Sequence, residues 1–220
     1  MAFDNDGAVA AVVWATPNAE STIAYIARVS SQNQENPSYE RLFRYLINHE
    51  HWSPFEHAVV CIEINTTRAI AQQIIRHRSF SFQEFSQRYE EVRNKPMMPE
   101  QRLKAQTNRQ GSIEANGDYT AEQRHALWAL QKSIDKAWDT YRYLLDNGFA
   151  PETARMVLPL CTPTRIYMTG SVRSWIHYLR LRLPENTQKE HREVAMHVKD
   201  ALTPIIPTII EMLEKKGEIK

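Results

Sequence analysis

Glycine is scarce in this chain and never clustered: the six glycines stand at 7, 111, 117, 148, 170 and 217, none within two residues of another. That scatter excludes a Gly-x-Gly-x-x-Gly dinucleotide turn and a P-loop, which crowd glycines so that backbone amides can approach phosphate. Any nucleotide bound here must be held by side chains and helix ends. Cysteine is scarcer still. Cys61 and Cys161 cannot form a disulfide framework. Cys61 has no basic neighbour to lower its pKa, and Cys161, after Leu158-Pro159-Leu160, reads as a small core residue. No paired Cys-x-x-Cys and no His-Glu-x-x-His occurs, and the spacing of His49, His51 and His57 gives no ligand geometry, so no metal is expected. No apolar run reaches membrane-spanning length, and the start, Met1-Ala2-Phe3-Asp4-Asn5-Asp6, is acidic where a signal peptide needs a basic one. The expectation is a cytoplasmic protein with no membrane partner. A formal net charge of +1 argues against a surface devoted to nucleic acid.

With 220 residues, 42% hydrophobic and 24% charged, the chain suits one globular domain over 1–220 with a real core. Val9 to Ala15 reads as a strand, with Asn18 capping a helix that carries Ile23, Ile26 and Ala27. Asn36-Pro37 signals the start of a helix through Leu42, Phe43, Tyr45 and Leu46. In Ala58 to Thr66 the residues Val60, Ile62 and Ile64 alternate with Cys61, Glu63 and Asn65, the clearest strand pattern present. A helix follows over Arg68 to Arg76, then a polar, irregular stretch over 90–118 with Asn116-Gly117 as a turn. Thr120-x-x-Gln123 is a capping box and Gly148 a terminal cap for the longest helix, which keeps Leu127, Leu130, Ile134, Trp138, Tyr141 and Leu145 on one stripe. A helical turn over Glu152 to Val157, a strand at Ile166 to Thr169, and helices over Ser171 to Leu183, 187–202 and 204–216 complete the reading. Strands and helices in this order indicate an α+β fold: an antiparallel sheet flanked by helices, with a largely helical C-terminal half.

Against this ordinary background one segment stands out. Residues 76–89, Arg-His-Arg-Ser-Phe-Ser-Phe-Gln-Glu-Phe-Ser-Gln-Arg-Tyr, interleave three arginines with four aromatic rings. Guanidinium groups fork phosphate and stack on π-faces, so the mixture suits a flat anion. A solvated loop would not need Phe80, Phe82, Phe85 and Tyr89. The segment is therefore packed at an interface, cradles a ligand, or both. A non-catalytic nucleotide- or RNA-binding module is the alternative reading of the same pattern.

Arg182 is a second anomaly. It follows Trp175 by seven residues, which returns it to the apolar face of Trp175 and Leu179. There it either meets an anionic or carbonyl partner or snorkels outward. Arg155, inside the apolar turn Ala154-Arg155-Met156-Val157-Leu158-Pro159, raises the same question.

The spacing Arg76-His77-Arg78, seven residues, Ser86, then Arg88-Tyr89 resembles the signature of the flavin-dependent thymidylate synthases. His51-x-Ser53-Pro54-Phe55-Glu56-His57, Ala154-Arg155-x-Val157-Leu158-Pro159, and Arg173-Ser174-Trp175 through Leu181-Arg182 resemble further blocks of that family, in its order. The likeness runs from about residue 20 to about 200. It implies a homotetramer with shared active sites that methylates dUMP to dTMP, with methylenetetrahydrofolate as carbon source and FAD, reduced by NADPH, as hydride source. It assigns FAD contacts to Ser53, Arg76, His77, Arg78, Glu84, Ser171, Arg173 and His177. It assigns dUMP contacts to Gln73, Arg76, Ser86, Gln87, Arg88, Arg155 and Arg182, with Arg182 as the catalytic cation. Ser171 and Asn186 stand where many members carry Asn and His.

Overall fold

The alternating segment becomes the inner strand of a four-stranded sheet. The computed structural model describes residues 9–106, 108, 111–115 and 117–219; the acidic start Met1 to Asp6 and Asn116 of the expected turn lie outside them. Strands β1 (Ala10–Ala15), β2 (Val59–Thr67), β6 (Pro163–Ser171) and β3 (Ser81–Glu84) line up in the order β1-β2-β6-β3. The pairs β1–β2 and β3–β6 are antiparallel. Both faces of β2 are covered: Cys61 and Glu63 are buried, as are Val60, Ile62 and Ile64. Glu63 is served there by Asn65 Nδ2, which donates to it at 3.3 Å.

Helices α1 (Ala19–Ala27), α2 (Glu40–Asn48), α3 (Arg68–Ile74), α4 (Ala121–Asp146), α5 (Pro151–Ala154), α6 (Val172–Arg182), α7 (Lys189–Leu202) and α8 (Pro207–Lys215) follow the expected order. The capping box of α4 forms as read: Gln123 N donates to Thr120 Oγ1 and Thr120 N to Gln123 Oε1. Gly148 follows the helix at φ 80°, a conformation that glycine adopts without strain.

Four local readings need correction. Asn18 does not cap α1 with its side chain; it turns left-handed at φ 47°, and its carbonyl receives Ser21 Oγ and Thr22 N instead. Asn36-Pro37 does not start α2, which begins at Glu40. Asn36 Oδ1 instead accepts from Ser38 N, while the carbonyls of Asn36 and Ser38 accept from Arg28, and those bonds hold the segment out of the helix. Ser81–Glu84 is a strand rather than loop, and the 90–118 stretch contains a small hairpin of β4 (Arg102–Lys104) and β5 (Ser112–Glu114).

The chain divides into two compact units. One comprises the described residues of Met1–Thr66, Gln73–Glu84 and Arg165–Lys220; the other comprises Thr67–Gln72 and Phe85–Thr164. In the first, Trp175 is fully buried and donates its indole N–H to Val60 O at 3.1 Å, fixing α6 on β2. Covering a ring of that size removes ~200 Å² of mostly apolar surface, worth on the order of 5 kcal/mol at most. Helices α7 and α8 extend this core with Val194, Val198, Leu202, Ile209 and Leu213, all buried. In the second unit, Tyr141 of α4 packs with Val92 and Ala154, joined by Phe85, Trp138, Leu144, Leu145 and Leu158. The Tyr141 hydroxyl accepts from Val92 N at 2.8 Å, which ties the irregular stretch to the long helix.

Candidate active site

The segment after α3 is pinned from below by an aromatic ring. His77 N donates to Ile74 O and Phe80 N to His77 O, two turn bonds that bend the chain out of the helix toward β3. Phe80 packs edge-on against Trp175 with ring centroids 4.7 Å apart, and a Cβ on Gly170 would collide with the Phe80 ring. Gly170 is therefore needed for close approach rather than for backbone freedom. Ser174 Oγ donates to Ser79 O at 3.3 Å and closes the turn on α6. These anchors leave Arg76 and Arg78 exposed and turn His77 inward. Among the described residues neither exposed guanidinium has an ion-pair partner.

His77 is given a task that the spacing did not indicate. Its ring is 8% exposed, and Arg182 Nε donates to its Nε2 at 2.9 Å. Arg182 thus finds neither an anion nor a carbonyl but a neutral imidazole, and among the described residues it has no carboxylate partner. Burial, with the charge of Arg182 next, lowers the His77 pKa to about 4, so the ring accepts from the guanidinium instead of competing as a second cation. His191 on α7 is fully buried beside it and pushed down to about 3 by the same two causes. Tyr178 completes the group, its ring centroid 5.0 Å from His77 and 5.8 Å from His191. Burial drives the Tyr178 hydroxyl pKa upward, so it stays protonated.

The rest of the expected flavin set lies on this unit's polar edges. Ser171 caps α6, accepting Ser174 N at 3.3 Å, and donates to Glu56 Oε2 at 2.5 Å. Arg173 reaches the other oxygen of Glu56 at 2.8 Å. The Ser171 bond, followed by Arg173, holds the Glu56 carboxyl below the usual range. Ser53 and His177 are exposed, and Glu84 ends β3.

The second unit holds its own cluster. Arg68, Gln72, Gln87, Arg155, Met156, Leu158, Pro159, Leu160 and Thr162 line an open depression of about 280 Å³. Backbone bonds from Arg68 N to Thr162 O and Ala69 N to Leu160 O set the start of α3 against its wall. Arg68 donates to Gln87 Oε1 at 3.1 Å, leaving the buried Gln87 Nε2 without a partner. Two guanidiniums, with no acidic residue in the lining, make a site for an anion. Arg155 and Gln87 were expected there; Arg68 and Gln72 were not. Their signal was available, because residues four apart on one helix share a face.

Of the other residues expected to meet dUMP, Gln73, Arg76 and Arg182 belong to the first unit, and Ser86 and Arg88 belong to the second but lie outside the lining. Arg88 lies outside the lining, bonded through Nε to Glu152 Oε2 at 3.0 Å. Ser86 gives its carbonyl to the amides of Tyr89 and Glu90. The four aromatics also divide: Phe80 and Phe85 are anchors of the two cores, whereas Tyr89 is exposed beneath the Arg88 guanidinium.

Comparison with known proteins identifies the family. A family model described as "Thymidylate synthase complementing protein" matches residues 11–208, and so takes in residues of both units. A flavin-dependent thymidylate synthase of Synechocystis is 46% identical over 199 residues, covering 89% of each chain. A probable flavin-dependent thymidylate synthase of Paramecium bursaria Chlorella virus 1 is 42% identical over 207 residues, covering 92% of this chain and 94% of its own. Among solved structures, a UMP/dUMP methylase of Streptomyces cacaoi bound with 5-Br dUMP superposes with a TM-score of 0.80 at 26% identity, over 96% of both chains.

Proposed function

We propose a function from the premise that this chain belongs to the thymidylate synthase complementing protein family: it is a flavin-dependent thymidylate synthase, converting dUMP to dTMP with FAD. Methylenetetrahydrofolate supplies the carbon and NADPH the reducing equivalents. The observation that carries the reading is Arg182, a half-buried cation held by a neutral imidazole with its charge uncompensated by any carboxylate among the described residues.

The residues present fit a flavin dinucleotide. Arg76 and Arg78 offer exposed guanidiniums for its pyrophosphate, and Ser53, Glu84, Ser171, Arg173 and His177 offer polar groups for the remainder. His77, buried behind the arginines, acts on the site by holding Arg182. When bound, FAD supplies hydride chemistry that no side chain can.

On the nucleotide side, Arg155 and Gln87 take the phosphate from the depression, with Arg68 and Gln72 as its added residues, and Ser86 and Arg88 join them from outside the lining. Gln73 and Arg76 bind dUMP from the end of α3 and the turn that follows. Arg182 donates to a uracil carbonyl and stabilises the negative charge that gathers on the ring as it is activated. A guanidinium does this as a fixed cation, since it stays protonated throughout. No cysteine is needed, which accords with Cys161: burial raises its thiol pKa, away from the reactive thiolate.

The enzyme works in the cytoplasm as a homotetramer whose active sites draw on more than one subunit. Exposed Trp128, Tyr143, Met156 and Leu160 support such assembly, being large apolar side chains that a monomer would leave in water. None of the helices among the described residues is long and apolar enough to cross a membrane.

Tritium release from dUMP labelled at ring position 5 tests the role of Arg182. Arg182→Ala is expected to keep its flavin and to lose turnover by about a hundredfold or more. Near-normal release by that variant refutes the assignment.

A further inference from the structure

A hydrogen-bond chain runs through the first unit, and its polarity can be worked out link by link. The Glu190 carboxylate can only accept, so Gln188 must donate to it through Nε2, as it does at 2.9 Å. The Gln188 oxygen is then turned to Gln73, whose Nε2 donates to it at 2.7 Å. That leaves the Gln73 oxygen facing His191 Nδ1 at 3.3 Å. An amide oxygen can only accept, so His191 must carry its proton on Nδ1. Its other nitrogen is bare, and Nε2 is a buried atom with no partner.

This is a costly arrangement for a core position. His191 is 0% exposed, on a helix face shared with Val194, Val198 and Leu202, where an aliphatic side chain would leave no acceptor unsatisfied. What the ring gives that an aliphatic residue could not, beside its contacts with the Tyr178 and His77 rings, is a donor at Nδ1. The ring has no second tautomer compatible with Gln73, and its depressed pKa keeps it neutral in ordinary conditions.

We propose that His191 is a positioning residue for the nucleotide: its Nδ1–H holds the oxygen of Gln73 inward and so presents the Gln73 NH2 to an oxygen of the uridylate. The NH2 stands at the exposed end of Gln73, and its second N–H has no partner among the described residues. With the amide reversed, the same place would offer an acceptor, which repels phosphate and carbonyl oxygens alike. The inference rests on the reading of Gln73 as a dUMP contact, and it adds a residue that never touches the substrate.

The test uses flavin-loaded protein, titrated calorimetrically with dUMP and with deoxyuridine, alongside thermal melting. His191→Leu is expected to bind dUMP about tenfold more weakly, the loss of one oriented donor to a charged or polar oxygen, at an unchanged or higher melting temperature. His191→Asn, whose amide nitrogen can stand in for Nδ1–H, is expected to bind dUMP within about twofold of wild type although it fills the core less well and melts lower. In a Gln73→Ala background, His191→Leu should weaken dUMP no further. A loss seen with dUMP but not with deoxyuridine places the oxygen on the phosphate; a loss with both places it on the nucleoside. The proposal is overturned if His191→Leu binds dUMP as tightly as wild type, if affinity simply follows melting temperature across the variants, or if the loss persists without Gln73. Failure of the wild-type protein itself to bind dUMP would contradict the proposed function instead.

Discussion

In the unit built on the four-stranded sheet, the guanidinium of Arg182 is bonded to a buried imidazole and ringed by His191 and Tyr178. In the unit built on the long helix, Arg68 and Arg155 line an open depression together with the neutral amides of Gln72 and Gln87. The first cation is fixed before any ligand arrives, by a neutral imidazole that orients it without cancelling its charge. The second pair lies open to solvent at the surface of the depression. A reaction centre benefits from the former, because a dipole or charge already in place needs no reorganisation as charge develops. A phosphate site can use the latter, since an anion brings its own charge to an open, cationic surface.

The contrast predicts that removing the aromatic support of the first region damages folding and chemistry together, while substitutions in the second affect binding alone. Phe80→Ala should give the largest effect, destabilising by about 3 to 5 kcal/mol in urea melts, because the ring supports the turn that carries His77. A loss under 1 kcal/mol would mean the buried cluster is not held from below. Arg155→Ala should leave stability within about 0.5 kcal/mol and raise the dUMP dissociation constant by about ten- to a hundredfold. That difference should narrow as salt rises, since exposed cations are screened.

Acid provides a third probe. The folded-state values of about 4 for His77 and about 3 for His191 lie below the ordinary 6.5, so below pH 6.5 the unfolded chain takes up protons that the folded chain refuses. Stability present above that pH is therefore lost on acidification, by up to ~1.4 kcal/mol per pH unit for each imidazole. The loss from each ring levels off below its folded value. His191→Leu should flatten the stability profile between pH 6.5 and 5 relative to wild type, and parallel profiles would show that its ring is already charged in the fold. The smallest effect is expected on the rim of the second region. Glu152→Gln releases Arg88 from an exposed ion pair and should tighten dUMP binding by about two- to fivefold.

Elements set by local chemistry were legible in the sequence. The capping box at Thr120 and Gln123, the glycine at 148 and the apolar stripe between them gave α4, and the spacing from Trp175 to Arg182 gave α6 with its anomalous arginine. What depends on partners was not legible. Ser81–Glu84 is a polar sequence made into a strand by its pairing with β6, and the departure at Asn36-Pro37 is due to carbonyls claimed by Arg28. The candidate site divides in the same way. Arg155, Gln87 and Arg182 stood out by motif or position, and Arg68 carried a signal in its four-residue spacing to Gln72, whereas His191 matters through Gln73, distant in sequence. His191 left one trace: a histidine on the stripe of Val194, Val198 and Leu202.

The central claim, that this fold runs a flavin reaction on dUMP, is tested most directly by the visible spectrum of the purified protein. Loaded with FAD, it should be yellow, bleach on anaerobic addition of NADPH, and regain its colour when dUMP and methylenetetrahydrofolate are added together, with dTMP formed. A colourless protein that takes up no added FAD, or a bound flavin that stays reduced in the presence of both substrates, would contradict the account.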